Sequence, residues 1–442
     1  MDSSATVDAA ARQHARALLD FIDASPSPWH AVATAVEALR AAGYEPLAET
    51  DTWTLHPGDR RYVVRDDSTI GIIRVGHRAL AETGLRLFGA HTDSPGLRVK
   101  PQGAHDQGQT LRLGVEVYGG PILATFADRD LSLAGRVSLR SEDLVPATRL
   151  VRFERPLVRV PNAAIHLNRG VNSEGLKLDR HKELPLVLGA AVETLPATGR
   201  FRALLADALE VEPGDILSWE LNAFDTQPGE FFGIEGEFIA NSQLDNLACC
   251  HAGLTALLET DVAPWEGTGV CALFDHEEVG SVSAKGADGS FLPDLLERVA
   301  LASATPAEAM RRALARSVLI SADMAHAFHP AYPEYYDDDH AIFLNRGPAV
   351  KINASQRYSS EAASEGMFRQ LCERAGVPSQ VYVHRGNLPC GSTIGPAAAA
   401  RLGVRTVDVG NPMWSMHSAR ESAGAGDHTL LIRALRAYFG GP

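Results

Sequence analysis

The stretch LRLFGAHTD, residues 85–93, decides the fold class, because a run of apolar residues gives way at once to polar ones. The run has the length and composition of a buried strand, and His91 and Asp93 follow directly. The same order recurs at 269–278, where GVCALF precedes an Asp-His-Glu-Glu sequence. This pattern predicts an α/β fold in which buried strands end in polar side chains.

Three further segments are also followed by an acidic or imidazole side chain: FIANSQ by Asp245, SVLISA by Asp323, and VRTVDV, after a turn, by His417. Taken singly, each such residue is more simply explained as a turn, a helix cap or a solvated side chain. In open α/β sheets, however, ligands bind outside the carboxyl ends of the strands. We therefore expect these groups to meet at one edge of the sheet and to form a shared metal centre.

The chemistry of this residue set is consistent with metal-dependent hydrolysis. Histidine and carboxylates without cysteine suit Zn²⁺, Mn²⁺ or Co²⁺. A carboxylate shared between two ions would let both act on one substrate carbonyl. Of the adjacent Glu277 and Glu278, one can bind metal while the other serves as general base. Asp93 is placed to fix the tautomer of His91.

The character of the sequence changes near residues 99 and 238. Between them, stretches such as LSLAGRVSLR (131–140) alternate apolar and polar residues as half-buried strands do, and helical periodicity is weak except at about 184–208. On either side, apolar strands alternate with helical segments. We predict a discontinuous α/β domain, residues 1–98 and 238–442, interrupted by a β-rich inserted domain, residues 99–237.

Composition excludes several classes of function. The 442 residues carry a formal net charge of -14, which gives no basic footprint for nucleic acid. The five cysteines form no C-x-x-C pair, so neither a disulfide framework nor a thiolate zinc site is expected. No signal peptide and no membrane span is evident. We expect a soluble cytoplasmic protein.

Several segments together resemble the aspartyl aminopeptidase family of dinuclear-zinc exopeptidases, from about residue 20 to about residue 440. The segments are FGAHTDSPGLRVKP, YGG, DRDLSLAGRV, PNAAIHLNR, QLDNLACC, FDHEEVGS, SADMAHAFHP, GPAVKINASQRY, CGSTIGP and MHSARE. The resemblance implies an α/β peptidase domain with an inserted dimerisation domain, assembled from dimers into a tetrahedral homododecamer. It implies two divalent metal ions per subunit, with zinc favoured over manganese or cobalt.

The resemblance also implies a role for each site residue. Asp245 would bridge the two ions. His91 and Asp323 would complete one site, and Glu278 and His417 the other. Glu277 would be the general base, and Asp93 would orient His91.

Four further residues match positions that contact substrate in that family: His326, Lys351, Tyr358 and His166. His166, in PNAAIHLNR, would reach the active site of a neighbouring subunit. From the residues alone, Lys351 in AVKIN is most simply explained as an exposed strand lysine. In a site with a dinuclear metal, its cation could pair with an acidic substrate side chain, and the alternatives are the substrate carbonyl and a structural ion pair.

The chain departs from the family pattern at three places. Residues 121–126 are PILATF where relatives tend to have Gly-Leu-Trp-His-Thr-Trp, Gln243 stands where arginine is frequent, and His276 stands where asparagine is common. None of these changes removes an expected ligand. The first concerns the subunit contact or the substrate chamber.

The leading hypothesis is an aminopeptidase that removes one N-terminal residue, with a preference for Asp or Glu. Two alternatives remain open at this point. The same metal chemistry also cleaves acylated amino acids, and an assembly or cargo protein could retain the centre without activity. A panel of substrates, together with metal analysis, separates these possibilities.

Overall fold

The computed structural model describes residues 7–192, 194–260 and 265–440. Within these ranges the chain forms helices on and between three β-sheets. The helices are α1 (Ala9–Asp23), α2 (Pro28–Ala41), α3 (Leu80–Thr83), α4 (Val171–Glu174), α5 (Ala197–Leu209), α6 (Leu244–Glu259), α7 (Phe291–Ala302), α8 (Ala307–Arg316), α9 (Ala362–Ala375), α10 (Ile394–Leu402) and α11 (Asp427–Gly440).

The strands are short, with longer ones between residues 96 and 225. They are β1 (Glu45–Pro46), β2 (Arg60–Arg65), β3 (Thr69–Arg74), β4 (Leu85–His91), β5 (Gly96–Gln107), β6 (Thr110–Tyr118), β7 (Leu131–Leu139), β8 (Ala147–Arg152), β9 (Leu186–Ala190), β10 (Ile216–Asp225), β11 (Glu230–Phe232), β12 (Phe238–Asn241), β13 (Thr268–Phe274), β14 (Val318–Ala322), β15 (Ala325–His326), β16 (Ala349–Ile352), β17 (Gln380–Val383), β18 (Arg405–Gly410), β19 (Pro412–Trp414) and β20 (Glu421–Gly424).

The largest sheet has nine strands in the order β1-β2-β3-β13-β4-β14-β18-β16-β17. Its central strands β13, β4, β14 and β18 are mutually parallel, so their carboxyl ends share one edge. Successive residues of β13 enter different cores, with Val270 in one and Cys271 in the other. Burial on both faces explains why these strands are continuous apolar runs. The α/β fold expected from the sequence is confirmed, and the nine-stranded sheet is mixed, since β3 pairs with β13 antiparallel.

The second sheet has six strands in the order β8-β7-β10-β5-β6-β9 and a hydrophobic core of its own, on which α5 packs. The helical periodicity expected over about 184–208 is only partly right. Residues 186–190 form an edge strand instead, where Leu186 is buried opposite Leu113. The helix begins only after Pro196, which lacks the N–H that a helix interior requires. The domain boundaries at residues 99 and 237 stay a prediction.

The remaining sheet, in the order β11-β12-β20-β19-β15, lies next to the carboxyl edge of the nine-stranded sheet through β15 and β19. Its β19 and β20 pair antiparallel, and the loop between them carries His417. Among the helices of the described ranges, none is both long and apolar enough to cross a bilayer.

Candidate metal centre

The parallel strands deliver most of the predicted ligands to one place. His91 is the last residue of β4, and Asp323 follows β14 directly. Glu277 and Glu278 lie in a 3₁₀ turn, Glu277–Val279, just beyond β13. Because these three strands are parallel neighbours, their ends hold the four side chains at the same edge.

The other two ligands come from outside the strand ends. Asp245 lies in the first turn of α6, and His417 lies in the loop that joins β19 to β20. His417 has a φ of 70° and His276 a φ of 64°, a left-handed conformation uncommon for residues other than glycine. Histidine tolerates this conformation better than most residues do, as asparagine does.

Asp245 lies between two ligand groups. Its Oδ1 is 3.5 Å from Nε2 of His91, which is itself 3.6 Å from Oδ1 of Asp323. Its Oδ2 is 3.4 Å from Nε2 of His417, which is 3.4 Å from Oε1 of Glu278. The two triplets therefore share one carboxylate, with one oxygen facing each triplet.

These distances fit a pair of bound cations better than direct hydrogen bonds. Protein hydrogen bonds of this kind are about 2.7–3.2 Å long. Ligand atoms around a tetrahedral zinc ion with bonds of about 2.0–2.1 Å are separated by about 3.3–3.5 Å. Oδ1 of Asp245 is buried and has no hydrogen-bond partner in the described part of the chain. The arrangement is thus suited to two divalent metal ions.

The electrostatics of the cluster also favour cations. Burial lowers the pKa of His417, but the adjacent carboxylates of Asp245 and Glu278 outweigh it and raise that pKa to about 11. Burial alone would raise the pKa of Asp245, yet His417 and His91 bring it below its ordinary value. The carboxylates thus stabilise positive charge on the imidazoles at this edge of the sheet, and divalent ions would supply such charge.

Glu277 and Glu278 differ in their surroundings. The carboxylate of Glu278 contacts His417. No hydrogen bond or ion pair engages the carboxylate of Glu277 within the described ranges, although one of its oxygens lies within 4.8 Å of ligand atoms of His91 and Glu278, a third group that could hold an ion. Burial raises the pKa of Glu277 to about 9 and that of Glu278 to about 7. With a pKa of about 9, the Glu277 carboxyl is protonated near pH 7, and bound cations nearby would lower that pKa so that it could accept and return a proton.

Asp93 anchors the turn that carries both glutamates. Its Oδ1 accepts the backbone N–H of Glu277 at 3.1 Å, and its Oδ2 accepts that of Glu278 at 3.0 Å. Nδ1 of His91 lies 2.9 Å from the main-chain oxygen of Asp93 and 3.4 Å from its Oδ1. The main-chain oxygen is thus the closer acceptor for the imidazole, and the tautomer-fixing role of the carboxylate stays a prediction.

Sequence reasoning missed two residues that support Asp93 and the predicted ligand His417 through hydrogen bonds. The hydroxyl of Tyr118 donates to Oδ2 of Asp93 at 2.8 Å, and Nδ1 of His417 lies 3.0 Å from the main-chain oxygen of Gly120. Both come from the end of β6 or just beyond it, within the predicted insertion. One indirect signal was the YGG segment at 118–120, which does not indicate which residues it contacts.

The divergent segment 121–126 contacts the His417 loop in this chain. The N–H of Ile122 donates to the main-chain oxygen of His417 at 2.8 Å, and the N–H of Ala419 donates to Oγ1 of Thr125 at 2.8 Å. This part of the predicted insertion therefore supports a predicted ligand within its own subunit.

A cavity of about 460 Å³ opens beside the cluster, and three of the predicted substrate residues line it: His326, Lys351 and Tyr358. Burial and the charge of Lys351 lower the pKa of His326 to about 4, so this imidazole is neutral near pH 7. Lys351 is 2% exposed, so the surface position considered for it is wrong. Its Nζ lies 3.3 Å from Oδ2 of Asp323 and donates to the main-chain oxygen of Met324 at 3.0 Å.

His166 stands apart from this site. It is exposed, in the segment that follows β8, and it is not among the described residues that line the cavity. The structure of one subunit thus brings together every predicted site residue except His166.

The fold and the cluster define a class of protein, the metallohydrolases whose carboxylates and imidazoles hold metal at the carboxyl edge of an α/β sheet. Residues 21–439 match the family model described as aminopeptidase I zinc metalloprotease (M18). The chain belongs to this M18 family, so it is a metallo-aminopeptidase, a hydrolase that acts on peptide N-termini. The resemblance to aspartyl aminopeptidases is confirmed at the level of the family.

Known proteins of similar sequence and structure agree. A probable M18 family aminopeptidase 2 of Stutzerimonas stutzeri (strain A1501) is 47% identical over 96% of this chain and 97% of its own length. A chain in the cryo-EM structure of the Ape4 and Nbr1 complex is 35% identical, with a TM-score of 0.95 over 100% of this chain and 88% of that one. The S. cerevisiae mApe1 dodecamer is 25% identical, with a TM-score of 0.84 over 97% of this chain and 96% of that one.

Proposed function

We propose that this M18 enzyme is a dinuclear aminopeptidase that removes an N-terminal Asp or Glu from peptides. The observation that carries the dinuclear part is the position of Asp245. Its two oxygens lie 3.5 Å and 3.4 Å from the imidazoles of His91 and His417, which belong to different ligand triplets. A carboxylate placed in this way is suited to bridge two ions, here Zn²⁺, with Mn²⁺ or Co²⁺ as alternatives.

In the proposed mechanism, Glu277 moves the proton. Two bound divalent ions would supply an activated water and polarise the scissile carbonyl. Glu277 takes the proton of the attacking water and returns it to the leaving amine, a role that its unengaged carboxylate supports. Asp93 holds Glu277 in place through the backbone, so the base stays next to the cavity.

The acidic preference rests on the charge of the cavity wall. Lys351 is the one lysine or arginine among the described lining residues, and the ring of Tyr358 lies 5.1 Å from its Nζ. A desolvated cation at this wall would favour a carboxylate on the substrate over an apolar side chain. The resemblance to aspartyl aminopeptidases supports the same preference, with His326 and Tyr358 as further substrate contacts.

The assembled state forms part of the proposal. His166 would complete the site of a neighbouring subunit, with the insertion, residues 99–237, as the dimerisation domain. The dodecamer of the S. cerevisiae relative supports a homododecamer here. We place the enzyme in the cytoplasm, where its five cysteines, all free in the structure, would remain reduced.

The test is a panel of fluorogenic substrates, one for each N-terminal residue, assayed on metal-stripped enzyme with each metal restored in turn. The proposal predicts activity only after metal is restored, with the largest kcat/KM for Asp and Glu. The panel includes N-acylated amino acids, on which the proposal predicts no turnover. A preference for neutral residues would refute the acidic specificity while leaving the aminopeptidase class intact.

A further inference from the structure

Glu421 is a buried carboxylate beside the metal cluster that the mechanism above does not use. It is the first residue of β20, only 1% exposed, and lies opposite Asn241 of β12. No lysine or arginine side chain in the described ranges forms an ion pair with it. Because a buried carboxylate without a cation is costly, its remaining contacts must offset that cost.

Those contacts are the backbones of two predicted metal ligands. Oε1 of Glu421 accepts the N–H of His417 at 2.6 Å, and Oε2 accepts the N–H of Asp245 at 3.0 Å. Asp245 lies in the first turn of α6 and His417 belongs to the β19–β20 loop, two elements far apart in sequence. The carboxylate of Glu421 therefore links Asp245, the ligand shared by both triplets, to His417, which belongs to the triplet that includes Glu278.

We propose that Glu421 is a positioning residue that sets the distance between Asp245 and His417. It thereby sets the affinity for the metal ion that Asp245, Glu278 and His417 would hold. This inference rests on the proposed dinuclear site. Other contacts hold each ligand separately: Ser94 donates to the main-chain oxygen of Asp245 at 2.6 Å, and Gly120 accepts from the His417 ring. Glu421 is the side chain that joins the two.

The substitution Glu421→Gln tests this with little change in volume. The amide keeps one acceptor oxygen but presents an NH₂ group to the other backbone N–H, so only one of the two contacts can persist. Asp245 and His417 would then move apart. Loss of such a supporting contact typically lowers metal affinity by about 10–100-fold.

The chain contains a matched control in Asp427, which is 0% exposed and also accepts two backbone N–H groups. Its Oδ2 accepts from Asn345 at 2.6 Å and its Oδ1 from Gly347 at 2.8 Å. Neither of these residues is a predicted ligand. Asp427→Asn therefore removes the same type of contact at a place where only the fold depends on it.

The experiment titrates Zn²⁺ into metal-stripped full-length protein against a chromophoric chelator, with thermal unfolding followed in parallel. Each variant is also combined with Asp323→Asn, which weakens the other site and isolates the ion held by Glu278 and His417. We expect Glu421→Gln to lower the affinity for that ion about 10–100-fold. The affinity for the ion held by His91 and Asp323 should fall less. Asp427→Asn should change neither affinity by more than about two-fold, although both variants should lower the melting temperature.

Unchanged affinities in Glu421→Gln, or equal losses in the two variants, would overturn the positioning role. The wild-type titration separates this failure from that of the proposed function. If the wild type binds two ions and Glu421→Gln does too with the same affinities, only the positioning role is wrong. If the wild type binds one ion or none, the dinuclear proposal fails, and the inference that rests on it fails as well.

Discussion

Nζ of Lys351 lies 3.3 Å from Oδ2 of Asp323, so the cation of the substrate cavity contacts a predicted metal ligand. Both residues are buried, at 2% and 8% exposure, which strengthens the attraction between their charges. Lys351 can therefore act in two ways: on the side chain of the substrate, or on the orientation of Asp323.

The substitution Lys351→Met separates these two roles. The proposed acidic preference requires kcat/KM to fall more for Asp and Glu substrates than for Ala or Leu, by about 2–5 kcal/mol, because the substrate carboxylate loses its partner. Lys285→Met is the control, since Lys285 is also a buried lysine, paired with Asp275 at 3.0 Å but outside the cavity lining. Equal losses of kcat/KM on all substrates would mean that Lys351 orients Asp323 or supports the fold, and does not bind the substrate side chain.

The paired glutamates should respond differently to the same change. Glu277→Gln should keep both metal ions and lose turnover by about 10²–10⁴-fold, because it removes the base without removing a ligand. Glu278→Gln should also lose metal affinity, because its carboxylate contacts His417. Metal analysis and kcat for both purified variants check this. Equal metal content together with an active Glu277→Gln would reverse or refute the assignment.

A site residue could be predicted from the sequence where a local pattern marks its position, and could not where only contacts with distant elements place it. His91 and Asp323 could be placed because each follows an apolar run, and parallel strands bring such ends together. Glu421 and Gly120 could not, because they act on residues from other elements through backbone atoms, which leave no local pattern.

The same reasoning explains the error at residues 184–208. Local periodicity suggested one helix, whereas the pairing of Leu186 with the distant Leu113 makes the first part an edge strand. Pairing between distant segments overrides local preference in this way. His166 illustrates a different limit, since we propose that it acts in a neighbouring subunit, and the structure of one chain cannot show such a contact.

Subunit mixing tests the role of His166. His166→Phe should lower kcat while leaving metal content and oligomeric mass unchanged. Mixed with Glu277→Gln subunits, it should regain activity, because one site in a mixed dimer then has an intact Glu277 and the His166 of its partner. No recovery in mixtures shown by mass to have exchanged subunits would mean that His166 acts within its own chain or has no role.

A buried histidine pair predicts how stability depends on pH. Nδ1 of His251 lies 2.8 Å from Nε2 of His428. Burial lowers the pKa of His251 to about 3 and holds that of His428 well below its ordinary value. The unfolded chain titrates these groups near about pH 6.5, so below that pH it binds more protons than the folded protein, and stability falls as pH falls.

Each histidine that is protonated in the unfolded chain but neutral in the folded protein lowers the free energy of unfolding as pH falls. The slope is about 1.4 kcal/mol per pH unit between about pH 6 and about pH 4. His428→Gln removes one of the two groups and should flatten the slope by about that amount. The measurement is the free energy of urea unfolding against pH, with the exposed His105→Gln as the control. A slope in His428→Gln equal to that of the wild type would refute this account of the pair.

The central claim is that Asp245 bridges two ions, and the metal content of Asp245→Asn tests it most directly. The comparison is with Asp323→Asn and His417→Gln, each of which should weaken one site. Because the carboxylate of Asp245 faces both triplets, Asp245→Asn should lower the affinity of both ions at once and abolish turnover. Two tightly held ions and normal turnover in the purified Asp245→Asn protein would contradict the bridge.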